Sequence, residues 1–145
     1  MSIPTRILVP LDFSEPSMHA LTYAKTLAES LGASLDLLYI VPNPYVADPS
    51  GLYMALPQNL LDDFEREARI RLEHTLTPEE RKTFKARSSV RTGDPLVEIV
   101  EHARLTAADL IVMGTHGRTG VSHLFLGSVA ERVVRSAPCA VLTVR

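Results

Sequence analysis

The sequence predicts an α/β fold: a doubly wound, five-stranded, mostly parallel sheet with helices on both faces, built as a single domain over residues 1–145. Three observations carry that expectation. Short apolar runs recur along the chain as RILVPL, LDLLYIV and DLIVM, and such runs suit strands buried on both faces of a parallel sheet. Segments with helical apolar spacing alternate with them. The composition, 46% hydrophobic and 22% charged over 145 residues, is that of a globular chain long enough for one sizeable core.

Arg6–Leu11 is the first strand, closed by Asp12. Ser14 is placed to cap the next helix and Pro16 is tolerated in its first turn. Ala20, Leu21, Ala24, Leu27, Ala28 and Leu31 then repeat at helical spacing until Gly32 stops them. Residues 35–41 form a second strand, which completes a βαβ unit with a right-handed crossover. Residues 42–57 hold Pro42, Pro44, Pro49, Pro57 and Gly51 and read as a long loop, unusually apolar through Tyr45, Val46, Leu52, Tyr53 and Met54.

From Gln58 to about Leu76, the residues Leu60, Leu61, Phe64, Ala68, Leu72 and Leu76 share one helical face, which predicts a half-buried helix. Its charged side is either a solvated face or an interaction surface. Thr77-Pro78-Glu79-Glu80 can cap a further short turn, and residues 86–90 form a third strand. Gly93 makes a turn, with Asp94 as N-cap and Pro95 as first residue of a helix to about Arg104. Residues 109–113 are the fourth strand. Val129, Ala130, Val133, Val134 and Ala137 mark the last helix, and Ala140–Val144 closes the sheet.

A strand order of 3-2-1-4-5 sets the ends of the first and fourth strands side by side where the order reverses, the place where open α/β sheets hold ligands. Asp12 and Gly114 would meet there. The stretch MGTHGRTGVSHLFLGSVAERVV has Gly114 and Gly117 two residues apart, then Gly127-Ser128 after nine more, at the start of a helix. Phosphates need donors that approach without side-chain obstruction, and backbone N–H groups at a helix start supply them with the positive end of the helix dipole. The alternative is a set of turn glycines and an ordinary cap.

Other chemistries find little support. No lysine follows Lys85, so no P-loop lysine is present, and the dinucleotide spacing GxGxxG is absent. A GxSxG nucleophile elbow is absent too. The five histidines form no ligand pair at helical or finger spacing, so neither a metal site nor a catalytic residue is assigned. Cys139 is the only cysteine, which rules out an internal disulfide. A net charge of −2 gives no basic face for nucleic acid. No apolar run reaches the roughly 18 residues of a membrane span, and no leader pattern is seen, so a cytoplasmic location is expected.

The pattern Gly114-x-x-Gly117, nine residues, Gly127-Ser128 resembles the ATP-binding signature of the universal stress protein family. RILVPLDFSE near the start and GSVAERVVRSAPCAVLTVR at the end are similar to that family as well, so the likeness covers the whole chain; Ala140 stands where the family frequently has proline. The resemblance implies an adenine nucleotide α hydrolase-like sandwich that binds ATP, or ADP or AMP, with Mg²⁺. By position, Asp12 would reach the ribose or a metal-bound water, and Val41 would offer backbone groups to adenine. Pro10, Leu11 and Met113 would line the adenosine pocket. Gly114, Gly117, Gly127, Ser128 and Val129 would surround the phosphates, and His116 and Arg118 face either phosphate or water.

The resemblance also implies a homodimer through Ala140–Val144 and a nucleotide-responsive regulator in stress response, with an unknown regulatory partner. Two other readings stay open. One is a slow nucleotide hydrolase (ATPase); the other is a partner-binding module with a vestigial pocket that docks through residues 42–57.

Overall fold

The computed structural model of the chain describes residues 2–42, 45–47, 50–116 and 126–145. Its elements run β1 (Arg6–Leu11), α1 (Glu15–Leu31), β2 (Ser34–Pro42), β3 (Tyr45–Ala47), β4 (Tyr53–Ala55), α2 (Gln58–Glu73), α3 (Pro78–Thr83), β5 (Arg87–Gly93), α4 (Pro95–Leu105), β6 (Leu110–Gly114), α5 (Ser128–Ser136) and β7 (Ala140–Val144). Five strands make one sheet in the order β5-β2-β1-β6-β7, and every neighbouring pair is parallel. Counted along the chain, this is the predicted order. The sheet is wholly parallel, because the antiparallel pair β3–β4 forms a separate two-stranded sheet.

That pair corrects the reading of residues 42–57 as loop alone. Strands of three residues set between prolines are too short to show alternation, although the β-branched and aromatic residues that favour strands are there. Elsewhere the caps behave as their chemistry requires. Ser14 caps α1 by accepting from the Ser17 N–H at 3.4 Å. The helix ends at Gly32, whose φ of 65° lets its N–H reach back to the Ala28 carbonyl. Thr77 and Glu80 form a reciprocal capping box on α3, with bonds of 3.1 and 3.0 Å. Asp94 caps α4 through the Val97 N–H at 3.1 Å.

Strand alternation splits the interior into two layers. Ile7, Val9 and Leu11 of β1 face α1 and α2, packing with Leu35, Leu37, Val112, Ala24 and Leu72. Leu8, Leu38, Ile111 and Met113 face the other way, against Ile99 and Ala103 of α4 and Ala130 and Val133 of α5. Each fully buried Leu or Ile contributes about 1.5–3 kcal/mol relative to leaving it exposed. One polar couple lies within the second layer. His102 of α4 meets Asp36 of β2, Nε2 to Oδ2, at 3.1 Å, with the two side chains 8% and 4% exposed.

The amino end of the sheet is laced shut. Asp109 accepts from the Thr5 N–H at 2.9 Å, the Thr5 hydroxyl at 2.8 Å and the Arg6 N–H at 2.9 Å. The Thr5 hydroxyl first, then the two N–H groups and the Arg6 charge, holds the Asp109 carboxyl below its ordinary range. Ser34 N–H adds a bond to the Thr5 carbonyl at 2.9 Å, and Arg6 Nη1 donates to the Thr106 carbonyl. Among the described residues, no helix is long and apolar enough to cross a membrane.

Helix α2 departs from its predicted half-burial in one respect. Ala68 and Leu72 are buried, but Leu60 and Phe64, earlier on the same stripe, are 36% and 42% exposed. The N-terminal half of the helix therefore overhangs a cleft at the carboxyl end of the sheet instead of the core.

Candidate functional site

β1 and β6 are neighbours whose onward connections leave in opposite directions, toward β2 on one side and β7 on the other. The strand order reverses between them, so the crevice beyond their carboxyl ends is the position for a ligand. Asp12 follows β1 directly. Its Oδ1 accepts from the Ser14 N–H at 3.0 Å and from the Ser14 hydroxyl, which orders the turn into α1. Phe13 between them takes a left-handed φ of 61°, uncommon for a residue with a bulky side chain.

The other wall is made by backbone. A Cβ on Gly114 would stand 2.8 Å from the Pro16 carbonyl carbon and 2.9 Å from the Ser17 nitrogen, so glycine is what lets the end of β6 touch the first turn of α1. The next residue, Thr115, donates its N–H to the Val144 carbonyl at 2.8 Å, and its own carbonyl accepts from the Gly127 N–H at 2.6 Å. A Cβ on Gly127 would lie 2.8 Å from that same Thr115 oxygen. These contacts staple the start of α5 against the end of β6.

This changes what two of the glycines do. The sequence suggests glycines that let backbone donors approach a ligand without obstruction, whereas the space beside Gly114 and Gly127 is filled by protein backbone. Their role in the structure is positioning: Gly127 has no side chain to cap α5, and the first-turn N–H groups at Ser128 and Val129 have no partner within the helix. The helix dipole makes that end an attractive place for negative charge. His116 follows Thr115, with Nδ1 2.9 Å from the Thr115 hydroxyl. Gly117 and Arg118, also predicted for the site, lie outside the described residues.

The three predicted lining residues Pro10, Leu11 and Met113 are buried at the ends of β1 and β6. Leu11 is 4% exposed in the layer under α1 and α2, while Met113 is 6% exposed in the layer under α4 and α5. Their side chains lie on opposite faces of the sheet and build no common wall, because the register that pairs Leu8 with Ile111 sets Met113 level with Pro10 and one residue out of step with Leu11. Val41 does reach the carboxyl end of β2, where it enters a second feature.

That feature is a cleft of about 370 Å³ between α2 and the ends of β1 and β2, lined by Phe13, Tyr39, Val41, Leu56, Phe64, Glu67, Ala68 and Arg71. Phe13 stacks with Tyr39 at a centroid distance of 5.2 Å and an interplanar angle of 25°. The Arg71 guanidinium carbon lies 4.0 Å from the centre of the Phe13 ring. Of these residues only Val41 is assigned to a ligand from the sequence, while Phe64 and Ala68 belong to the apolar face predicted for α2. The available signal was the aromatic residue directly after Asp12 together with the apolar stripe of α2.

The residues present suit a phosphorylated ligand. Backbone N–H groups at a helix start and a neighbouring histidine can donate to phosphate, and the Asp12 carboxylate after β1 can accept from a ribose hydroxyl. Among the described residues no three His, Cys, Asp or Glu cluster to hold a metal. A magnesium ion carried by phosphates requires only one or two protein carboxylates, and Asp12 is placed to be one.

The chain can be set beside known proteins at this point. The universal stress protein UspA of Lactobacillus plantarum superposes with a TM-score of 0.79 at 24% identity, covering all of both chains. A universal stress protein of Archaeoglobus fulgidus, solved in complex with dAMP, superposes with a TM-score of 0.61 at 20% identity over 99% of this chain and all of that one. At such identities these likenesses establish the fold. A universal stress protein of Methanocaldococcus jannaschii is 38% identical over 97% of this chain and 81% of its own. The profile described as Universal stress protein family matches residues 4–145, and the chain belongs to that family.

Proposed function

We propose that the protein binds an adenine nucleotide, ATP or its di- or monophosphate, across the carboxyl ends of β1 and β6, and acts as a nucleotide-responsive regulator in stress response. The observation that carries this reading is the staple from Gly127 N–H to the Thr115 carbonyl at 2.6 Å, which fixes the uncapped start of α5 beside the strand end that faces Asp12. Ser128 and Val129 supply N–H groups to phosphate there, with His116, Gly117 and Arg118 in the connecting segment. Asp12 serves the ribose or a magnesium ion, which when bound neutralises phosphate charge. The dAMP complex of the Archaeoglobus fulgidus protein supports the reading by showing that a protein of this fold takes an adenine nucleotide.

The reading is one of binding, and it gives no residue a catalytic role. It places the protein in the cytoplasm as a homodimer, with β7, an edge strand of the sheet, pairing with its twofold mate. Denaturing freshly purified protein and identifying what it releases by chromatography and mass tests the ligand without presuming it. An adenine nucleotide is the expected result. Absence of calorimetric binding of ATP, ADP and AMP at millimolar concentration would overturn the proposal in favour of a partner-binding module.

A further inference from the structure

We infer that the cleft between α2 and the end of β2 reads the base of the nucleotide, with Arg71 and Glu67 as the side chains that select a purine bearing an exocyclic amine. The inference rests on the nucleotide reading above and names what determines its specificity. The cleft adjoins the crevice at the end of β1. Val41 lines it, and Phe13, another lining residue, directly follows Asp12 in the turn at the end of β1. About 370 Å³ is ample for a bicyclic base and falls in the range of small-molecule pockets.

Its walls are aromatic and aliphatic, and its charged groups, Glu67 and Arg71, come from one helix. Glu67 and Arg71 stand four residues apart on α2, the acid toward the N-terminus, which is the arrangement that ordinarily forms a surface ion pair. No ion pair joins them, and among the described residues neither has a salt bridge or hydrogen bond to another side chain. Arg71 lies instead over the Phe13 ring at 4.0 Å. The cleft thus keeps a flat cation that can both stack and donate, and a carboxylate that can only accept, at its exposed rim. An aminopurine offers the complement: a π-face for the guanidinium, ring nitrogens that accept, and an amine that donates to the carboxylate.

Calorimetric titration of AMP, IMP and inorganic tripolyphosphate into the wild type, Arg71→Ala, Arg71→Lys and Glu67→Gln tests this. Wild type should prefer AMP to IMP by about tenfold, the loss typical of one unmatched charged hydrogen bond. Glu67→Gln should bring the two within about twofold. Arg71→Ala should weaken both about tenfold, Arg71→Lys should resemble it because lysine has no plane to stack, and tripolyphosphate should bind all four proteins alike. Both positions are exposed, so unchanged circular dichroism and Tm are expected. AMP binding that is the same in every variant would overturn the inference and leave the nucleotide reading intact. Failure of the wild type to bind AMP at all would instead remove the reading on which it rests.

Discussion

The two ends of the sheet are built on opposite plans. At the amino end, Asp109 gathers three donors from Thr5 and Arg6, Ser34 bonds to Thr5, and Arg6 reaches Thr106. The Asp109, Thr5 and Ser34 groups there are consumed by the fold. At the carboxyl end, close backbone approaches at Gly114 and Gly127 hold a helix start whose N-cap, Gly127, brings no side chain, and an aromatic cleft opens at the ends of β1 and β2. The comparison teaches that one end ties its strands together, while the other leaves a helix start and a cleft where the proposed nucleotide would bind. Variants at the first should therefore move unfolding without moving affinity, and variants at the second should move affinity.

The largest effect is expected in the amino half of β2. His102→Ala leaves the buried Asp36 carboxylate without its partner, which costs about 3–5 kcal/mol in urea unfolding. Nucleotide affinity should stay at the wild-type value, and a fall in affinity of tenfold would break the division between the ends. Gly127→Val comes next. Its Cβ meets the Thr115 oxygen at 2.8 Å, so the start of α5 must shift, at a cost of about 1–3 kcal/mol and at least about tenfold in nucleotide affinity. Wild-type affinity in a folded Gly127→Val protein would show that the helix start does not hold the ligand.

Asp109→Asn should cost about 1 kcal/mol at neutral pH, where the carboxylate is charged and three donors point at it. The folded pKa lies below the unfolded one, so the unfolded chain binds the proton more readily. The contribution is complete above the unfolded pKa of about 3.9 and is lost as pH falls through the lower, folded value. Asp109→Asn should flatten that acid limb of a Tm-against-pH curve, leaving AMP affinity unchanged. The smallest effect is expected at Glu80, held low first by its bond from Lys25 and then by the Thr77 N–H. Glu80→Gln should change stability by about 0.5 kcal/mol at neutral pH and trim a second part of the same acid limb.

The five sheet strands, their order and the caps at Ser14, Gly32, Thr77 and Asp94 were legible because each depends on local patterning. Short apolar runs and cap residues report on their own neighbourhoods. The pair β3–β4 was not legible, since three residues show no period. The glycines of the crevice were visible as glycines, but their use was not. Whether the room beside Gly114 is taken by a ligand or by Pro16 depends on where α1 arrives, and that is a property of the packed fold. Thr115, which anchors both β7 and α5 through its backbone, has no side-chain signature for that role. The cleft escaped for a similar reason: Phe13, Tyr39 and Arg71 come from three separate elements and meet only after α2 docks.

The reversal of strand order has a kinetic side. β1 finds one partner, β2, within a single βαβ unit, and the other, β6, across a separation of 103 residues, as at Arg6 and Asp109. Near-neighbour segments close small loops and can assemble early, while the distant β6-α5-β7 portion must pay a larger loop entropy before it docks. The crevice is therefore a seam between an early half and a late half. A ligand that bridges the seam is expected to make its contacts after the main folding barrier, and so to lengthen the lifetime of the native state while leaving the folding rate nearly unchanged. Unfolding rates measured with and without AMP would read that difference directly.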